Sequence, residues 1–231
     1  IHLNKKLKFL VQDEQGVKLA FEDGTTYTSD IIIGADGIHS AVRKSLFDNT
    51  TLRDAKQICW RGISKVKIDA KFKGELNEIW GTGKRFGFVH ISDERVYWFG
   101  LTNKDAFNNG KSDVNDIFSD FHPTVQNIIN ETSKDKIIQG EIWDLKPLDK
   151  WYKGAVCLVG DSCHATTPNL GQGAVQAIES AYVLSNCLDE EPTLESAFEK
   201  YQKIRMDKAK HVISASWKIG KLAQLNNKIA C

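Results

Sequence analysis

The chain has 231 residues, of which 41% are hydrophobic and 26% charged, and its formal net charge is +1. That length allows one large domain or two small ones, with enough apolar material for a sizeable core. The balanced charge gives no electrostatic basis for binding nucleic acid or an anionic membrane, and no apolar run approaches the roughly 20 residues of a membrane span. We therefore expect no nucleic-acid partner and no membrane partner.

The cysteines and the first residue bear on compartment and completeness. The five cysteines are odd in number, widely spaced and without a C-x-x-C pair, which argues against a disulfide framework or a zinc site. We expect free thiols in a reducing, cytoplasmic environment and no bound metal. Because Ile1 falls inside a predicted strand and Met206 is the only methionine, we also expect a fragment of a longer protein.

The first 50 residues predict a hairpin, a buried strand and a short helix. Alternating residues flank the hairpin signal Asp23-Gly24. Three consecutive isoleucines, 31–33, predict a strand buried on both faces. Ser40 is placed to cap the helix that follows. The predicted elements are strands at 17–21, 26–29 and 31–33 and a helix at 40–47.

The remainder alternates between sheet and helix. A stretch rich in aromatic residues and glycine predicts several short strands and tight turns. Apolar residues at helical spacing predict three helices, one of which has Ala174, Ala177, Ile178, Ala181 and Leu184 on one side. The predicted elements are a sheet over 57–103, a helix at 112–130, strands at 137–145 and 155–159, and helices at 173–188 and 194–219.

Two motifs follow buried strands. In the first, residues 31–43, the strand ends in Gly34-Ala35-Asp36-Gly37, and small residues there allow a backbone or ligand to approach closely. Asp36 could orient the hydroxyls of a ribose or ribityl chain, or hold Arg43; the alternative is an ordinary helix-capping turn. The carboxyl end of a strand is where α/β sheets place ligands.

The second motif, residues 156–174, is longer and more specific. A buried strand ends in Gly160-Asp161, and a loop containing Pro168 leads to Gly171-Gln172-Gly173 at a predicted helix start. Glycines expose backbone N–H groups, and a helix amino terminus favours negative charge on whatever faces it. The spacing suits a ring docked on the helix end, with Asp161 bonding a polyol tail; the alternative is an ordinary strand–loop–helix connection.

The two motifs resemble the Asp-Gly and Gly-Asp motifs of FAD-dependent aromatic hydroxylase-type monooxygenases, the para-hydroxybenzoate hydroxylase-like superfamily. The resemblance implies a mixed α/β chain: the carboxyl-terminal part of a Rossmann-like FAD-binding domain with an inserted mixed β-sheet substrate domain. The Gly-x-Gly-x-x-Gly unit that opens this family is not in the sequence. The expected domains are 1–55 (FAD-binding), 56–148 (substrate-binding) and 149–231 (return to the FAD-binding domain).

The resemblance also implies site residues. The Asp-Gly motif lies near the flavin and the nicotinamide cofactor in the family, and the Gly-Asp motif holds the ribityl chain and cradles the isoalloxazine ring. The implied cofactor-binding residues are Asp36, Gly37, Asp161, Pro168, Gly171, Gln172, Gly173, Ala174 and Val175. Candidate substrate residues are Phe86, Phe88, Tyr97 and Asn169, with the aromatic residues forming either a substrate wall or a plain core. His164 is interpreted as structural, and no catalytic residue is assigned.

The activity implied is hydroxylation of a small aromatic or heteroaromatic substrate, with FAD, NAD(P)H and O₂, through a flavin C4a-hydroperoxide. Two alternatives remain open. One keeps the fold and changes the chemistry, to that of a halogenase or an isoprenoid reductase. The other is a flavin-free fragment that acts as a binding or interaction module through an exposed sheet edge.

Overall fold

The computed structural model describes residues 1–108 and 113–226, and the chain forms two compact units. Unit 1 comprises residues 1–53 and 143–217, and unit 2 comprises residues 54–142 and 218–231. The fold class is mixed α/β, which confirms the predicted class. The assignment of residues 1–55, 56–148 and 149–231 to flavin and substrate roles stays a prediction.

The elements in chain order combine eleven strands and seven α-helices within the described residues. The strands are β1 (Leu7–Asp13), β2 (Gly16–Phe21), β3 (Thr26–Ser29), β4 (Ile32–Gly34), β5 (Leu52–Ser64), β6 (Asn77–Gly81), β7 (Lys84–Ser92), β8 (Arg95–Asn103), β9 (Ile138–Leu145), β10 (Tyr152–Lys153) and β11 (Val156–Leu158). The helices are α1 (Ala41–Leu46), α2 (Lys104–Asn108), α3 (Val114–Ile117), α4 (Pro123–Asn130), α5 (Asp161–His164), α6 (Gly173–Glu190) and α7 (Leu194–Leu222). Short 3-10 turns occupy Ala70–Phe72, Lys134–Lys136 and Pro168–Leu170.

Unit 1 contains two small sheets. The first is the antiparallel meander β1-β2-β3, and the second has the order β10-β11-β4. β11 and β4 run parallel, with Val156 opposite Ile32 and Leu158 opposite Gly34. β11 is fully buried because α7 packs Phe198 and Tyr201 into the same core cluster.

The three consecutive isoleucines are less buried than the sequence predicts. Ile31 and Ile32 are partly buried, and Ile33 is 38% exposed. Within the described residues β4 is an edge strand that pairs with β11 alone. The prediction of a strand buried on both faces is therefore wrong for this chain, because hydropathy alone does not say how many neighbours a strand has.

Unit 2 is built on one five-stranded sheet of order β6-β7-β8-β5-β9. α3 and α4 contribute to a core cluster with one face of this sheet, and that cluster contains Phe86, Phe88 and Trp98. The single helix predicted over 112–130 is wrong in continuity: two helices form, separated at 118–122, and Ser112 lies outside the described residues. Pro123 opens α4 because proline lacks an N–H and disfavours helical geometry in the residue before it.

The helix predicted at 173–188 forms as α6, but of the five residues on its predicted apolar side only Leu184 is buried. The buried residues are Gln176, Ser180, Leu184 and Cys187, whereas Ile178 is 70% exposed. Two of the four buried side chains are polar, so burial of this helix depends on hydrogen-bond partners that hydropathy does not reveal.

Within residues 1–108 and 113–226, no helix combines the length and hydropathy needed to cross a membrane. The same residues contain no group of three or more His, Cys, Asp and Glu side chains that could hold a metal ion. Four cysteines are free and buried: Cys59, Cys157, Cys163 and Cys187. Burial raises the pKa of the Cys157 thiol to about 12, so this thiol is protonated at neutral pH. Cys231 lies outside the described residues.

Candidate functional site

A cleft of about 450 Å³ opens in unit 1 where the two motif strands end. Because β4 and β11 are parallel neighbours, their carboxyl ends meet at the same edge of the sheet. This is the position at which α/β sheets bind ligands. The cleft brings together Gly37 of the first motif and Asp161 of the second. Its other lining residues are Ala35, Val159, Gly160, Ala177, Ile178 and Ala181.

The connection from β4 to α1 is fixed by its own side chains. Ser40 caps α1 by accepting a hydrogen bond from the backbone N of Arg43 at 2.8 Å. Oδ2 of Asp36 accepts from the backbone N of Ala41 at 2.7 Å and of Val42 at 3.1 Å. The capping alternative for Asp36 is therefore observed, while its cofactor-binding role stays a prediction. Gly37 lies beside this turn, on the cleft.

Arg43 joins the two motifs. Its guanidinium is buried and donates to the carbonyl of Ile38 at 2.6 Å and to the carbonyl of Ser162 at 2.8 Å. The hydroxyl of Ser162 adds a second link, since it donates to the carbonyl of Gly34 at 2.6 Å. These bonds hold the Asp-Gly turn and the start of α5 against each other, which fixes the two sides of the cleft.

Asp161 begins α5, directly after Gly160. The side chain of Asp161 is exposed at the cleft, and no hydrogen bond to it is present within the part of the chain that the structure describes. Desolvation raises the pKa of its carboxyl. A carboxylate without a protein partner is suited to accept hydrogen bonds from ligand hydroxyls.

The Gly171-Gln172-Gly173 turn leads into α6. Gly171 has a φ of +64°, a left-handed conformation that favours glycine, and a Cβ at this position would meet nothing within 4 Å. Gln172 is the N-cap residue, and within the described residues its side chain makes no capping hydrogen bond. The first N–H groups of α6 are therefore not satisfied by a side-chain cap, and the exposed Val175 lies next to them.

These features fit part of a flavin. The open space at Gly171 and the uncapped amino terminus of α6 suit the negatively charged edge of a reduced ring. Asp161 at the cleft suits a ribityl chain. Pro168 opens the 3-10 turn that precedes this region. The structure thus brings Gly37 and Asp161 into one cleft and places residues 168–175 in the loop and helix start that follow it; their contact with a cofactor stays a prediction.

His164 occupies a buried position behind the cleft. Its Nε2 lies 2.9 Å from Oγ of Ser180, and its ring packs 5.2 Å from that of Trp151. Burial lowers the pKa of the imidazole to about 4, so His164 is neutral at neutral pH. These contacts support a structural role, because the ring is only 3% exposed and its partner is a serine hydroxyl rather than a substrate.

The candidate substrate residues of unit 2 fall on opposite faces of its sheet. Phe86 and Phe88 are buried in the core, where Phe86 stacks on Trp98 at 5.3 Å. For Phe86 and Phe88 the structure therefore supports a place in the core rather than in a substrate wall. Tyr97 and Phe99 are partly buried on the other face, with ring centroids 6.4 Å apart.

The second face of the sheet carries further side chains that the sequence analysis did not assign to a site. Cross-strand pairing sets Arg61 opposite Phe99 and Ile63 opposite Tyr97. Ile63 is 48% exposed and Trp80, on β6, is 51% exposed. Strand alternation could have indicated this face. Residues 61 and 63 share one face of their strand, residues 97 and 99 share one face of theirs, and the register places both pairs on the same side of the sheet.

Asn169, the remaining substrate candidate, has its amide engaged within unit 1. Its Nδ2 donates to Oγ1 of Thr167 and to the carbonyl of Ser216, both at 2.9 Å. These bonds fasten the loop before Gly171 to α7. A substrate contact by Asn169 stays a prediction.

A model of the FAD binding domain family matches residues 1–216. The chain belongs to that family, as the Asp-Gly and Gly-Asp motifs and the cleft between them indicate. The chain is 33% identical to the aurachin C monooxygenase/isomerase of Stigmatella aurantiaca, over 99% of this chain and 61% of that protein. It is 31% identical to the 2-heptyl-3-hydroxy-4(1H)-quinolone synthase of Pseudomonas aeruginosa, over 90% of this chain and 55% of that protein.

A solved structure gives the same fold. Klebsiella pneumoniae HpxO, complexed with FAD and uric acid, superimposes with a TM-score of 0.88 at 27% identity, covering 98% of this chain and 60% of that one. The chain therefore spans about three fifths of the length of these relatives.

Proposed function

We propose that this chain forms the ribityl and ring side of the FAD site in an NAD(P)H-dependent monooxygenase. The observation that supports this most directly is the cleft at the carboxyl ends of β4 and β11, which joins Gly37 to Asp161. Membership of the FAD binding domain family adds to it. The named relatives are a monooxygenase/isomerase and a quinolone synthase, which favours oxygen transfer over halogenation or double-bond reduction.

In this proposal the residues bind and orient, and the cofactor reacts. Asp161 accepts hydrogen bonds from ribityl hydroxyls, and the N–H groups at the start of α6 face the ring edge that becomes negative on reduction. The bound flavin supplies the oxygen-activating chemistry with O₂. Unit 1 has the flavin role, and the second face of the unit 2 sheet has the substrate role.

The substrate class we propose is a planar heteroaromatic compound. Tyr97 and Phe99 offer aromatic surface on the second face of the sheet, and Arg61 lies opposite Phe99 on the neighbouring strand. Aromatic surface packs against a planar ring, while a guanidinium can donate to ring oxygens. A quinolone ring meets both requirements, and two relatives bear names that refer to quinolone or aurachin compounds.

The test uses the full-length protein that contains this chain. We expect it to purify with bound FAD and to oxidise NADH or NADPH faster when a 4-quinolone is added, with one oxygen atom appearing in the product under ¹⁸O₂. A full-length protein that binds no FAD contradicts the proposal. Product formation without O₂ would instead identify a reductase.

A further inference from the structure

α7 carries two polar residues on its buried side. Arg205 is 3% exposed and Ser216 is fully buried, and Ala209 and Val212 lie between them on the same side. Eleven residues correspond to about three helical turns, or roughly 16 Å, so Arg205 and Ser216 lie on one face of a single rigid element. A buried polar residue needs hydrogen-bond partners: Ser216 has them in the second motif, and Arg205 has them in α6, directly after that motif.

Ser216 fastens the loop before the Gly171 turn. Its hydroxyl donates to the carbonyl of Thr167 at 2.7 Å and lies 2.7 Å from Oγ1 of the same residue. Asn169 donates in turn to Oγ1 of Thr167 and to the carbonyl of Ser216. The serine hydroxyl has one hydrogen, which goes to the carbonyl, so it accepts from Thr167. This gives a directed chain of bonds from the loop to α7.

Arg205 fastens the helix after the same turn. Its guanidinium donates to Oε1 of Gln176 at 2.7 Å, to Oγ of Ser180 at 3.3 Å, and pairs with Glu179 at 2.8 Å. These three positions are spaced i, i+3 and i+4 along α6, so the planar guanidinium of Arg205 contacts the first two turns of α6. Ser180 also bonds His164, which ends the helix that begins at Asp161.

The Gly171-Gln172-Gly173 turn lies between these two attachments, and among the residues that the structure describes Gln172 makes no side-chain capping bond. We propose that Arg205 and Ser216 are positioning residues that set the geometry of this turn and of the first N–H groups of α6, and through them the environment of the isoalloxazine ring. The inference rests on the proposed function for its cofactor. Its structural part, bracing of the turn by α7, concerns this chain alone.

The bracing has a measurable consequence without any cofactor. In flavin-free protein, the N–H groups of Gly171 and Gln176 donate to the carbonyls of Pro168 and Gln172. Amide hydrogen exchange at Gly171 and Gln176 should become about tenfold faster in Ser216→Ala and in Arg205→Met, the factor that corresponds to about 1.4 kcal/mol of lost local protection. Arg205→Lys should give a smaller increase, because an ammonium keeps the charge but cannot span three partners.

Matched controls separate bracing from a general effect of the substitutions. Ser214→Ala makes the same change at an exposed position of α7, and Lys203→Met removes an exposed cation from the same helix. Both should leave exchange at Gly171 and Gln176 within about twofold of the wild type. Equal exchange in Ser216→Ala and Ser214→Ala, together with unchanged exchange in Arg205→Lys, overturns the bracing. These milder variants keep the test decisive if Arg205→Met fails to fold.

The cofactor part is tested in the full-length protein loaded with FAD. Aligned N–H groups stabilise negative charge on the reduced ring, so loosening them should shift the flavin reduction potential to more negative values and change its visible circular dichroism. A wild-type protein that binds no FAD overturns the proposed function, while the exchange result still decides the bracing. A flavin-loaded pair of variants with wild-type potential and dichroism overturns the cofactor part.

Discussion

The two strand-to-helix connections that meet at the cleft are held in different ways. From β4 to α1 the chain is short, and its own residues Asp36 and Ser40 satisfy the first N–H groups of the helix. From β11 to α6 it is longer, and its N-cap residue Gln172 makes no capping bond within the described residues. Instead, α7 bonds to Thr167 before the turn and to the side chain of Gln176 after it. The turn before α1 is thus fixed by residues next to it in the sequence. The Gly171-Gln172-Gly173 turn instead lies between contacts to α7 residues that are more than 30 positions away from it.

The largest effect expected is at the residue that ties both connections together. Arg43→Met removes the bonds to the buried carbonyl of Ser162 and the partly buried carbonyl of Ile38, together with a longer bond to Oγ1 of Thr50. We expect a loss of about 4 kcal/mol in the free energy of unfolding, measured by urea denaturation. A loss below about 1 kcal/mol would show that the two connections are held independently.

The second connection should lose stability in acid because of His164. The pKa of His164 falls from 6.5 to about 4 on folding, so the folded state disfavours its protonation. Stability should therefore decline as pH falls from about 6.5 to about 4, by up to about 3 kcal/mol. His164→Gln keeps a donor for Ser180 and does not titrate. Its stability should lack this decline, whereas an unchanged profile would contradict the assignment.

Close packing between the strands and α1 gives the next effect. A Cβ at Gly34 would lie 2.7 Å from Cγ1 of Val42 and 2.9 Å from Cδ2 of Leu158. Gly34→Ala should cost about 1–3 kcal/mol, because both neighbours are buried in the core. Gly140→Ala, where a Cβ meets nothing within 4 Å, is the control. Equal thermal midpoints for the two variants would contradict the close approach.

The capping difference itself is tested by a pair of small substitutions. Ser40→Ala removes the cap of α1 and should cost about 1 kcal/mol. Gln172→Ala removes a side chain that makes no capping bond, and should cost less than about 0.5 kcal/mol. Chemical denaturation of both variants makes the measurement. A larger loss at Gln172 than at Ser40 would reverse the comparison.

The smallest effect on stability is expected at Asp161, where the sign depends on pH. Desolvation raises the pKa of this carboxyl, so folding favours its protonated form, and that contribution is lost as pH rises through the folded pKa. Asp161→Asn should therefore stabilise flavin-free protein at pH 7, by no more than about 0.5 kcal/mol given its exposure, and have no effect at pH 3. FAD binding to the full-length variant should weaken, and tighter binding would contradict the ribityl role.

Much of the fold could be predicted from local patterns. The hairpin at Asp23-Gly24, the cap at Ser40 and the helix from Gly173 follow from turn chemistry and periodicity, and the structure confirms them. The exposure of Ile33 and the buried side of α6 could not be predicted. Both depend on which elements pack alongside, and hydropathy reports a preference for burial rather than a neighbour.

For the candidate site, too, some features could be predicted from the sequence and others depended on tertiary packing. The sequence by itself determined the two motifs and their family, because glycine and aspartate at strand ends are required by backbone geometry and ligand approach. Only the tertiary structure decided that Gly37 and Asp161 share one cleft, that Phe86 and Phe88 belong to a core, and that Ser216 and Arg205 bond to Thr167 and Gln176 on either side of the Gly171-Gln172-Gly173 turn. These contacts join residues far apart in the chain, and the parallel pairing of β4 with β11 and the packing of α7 bring them together.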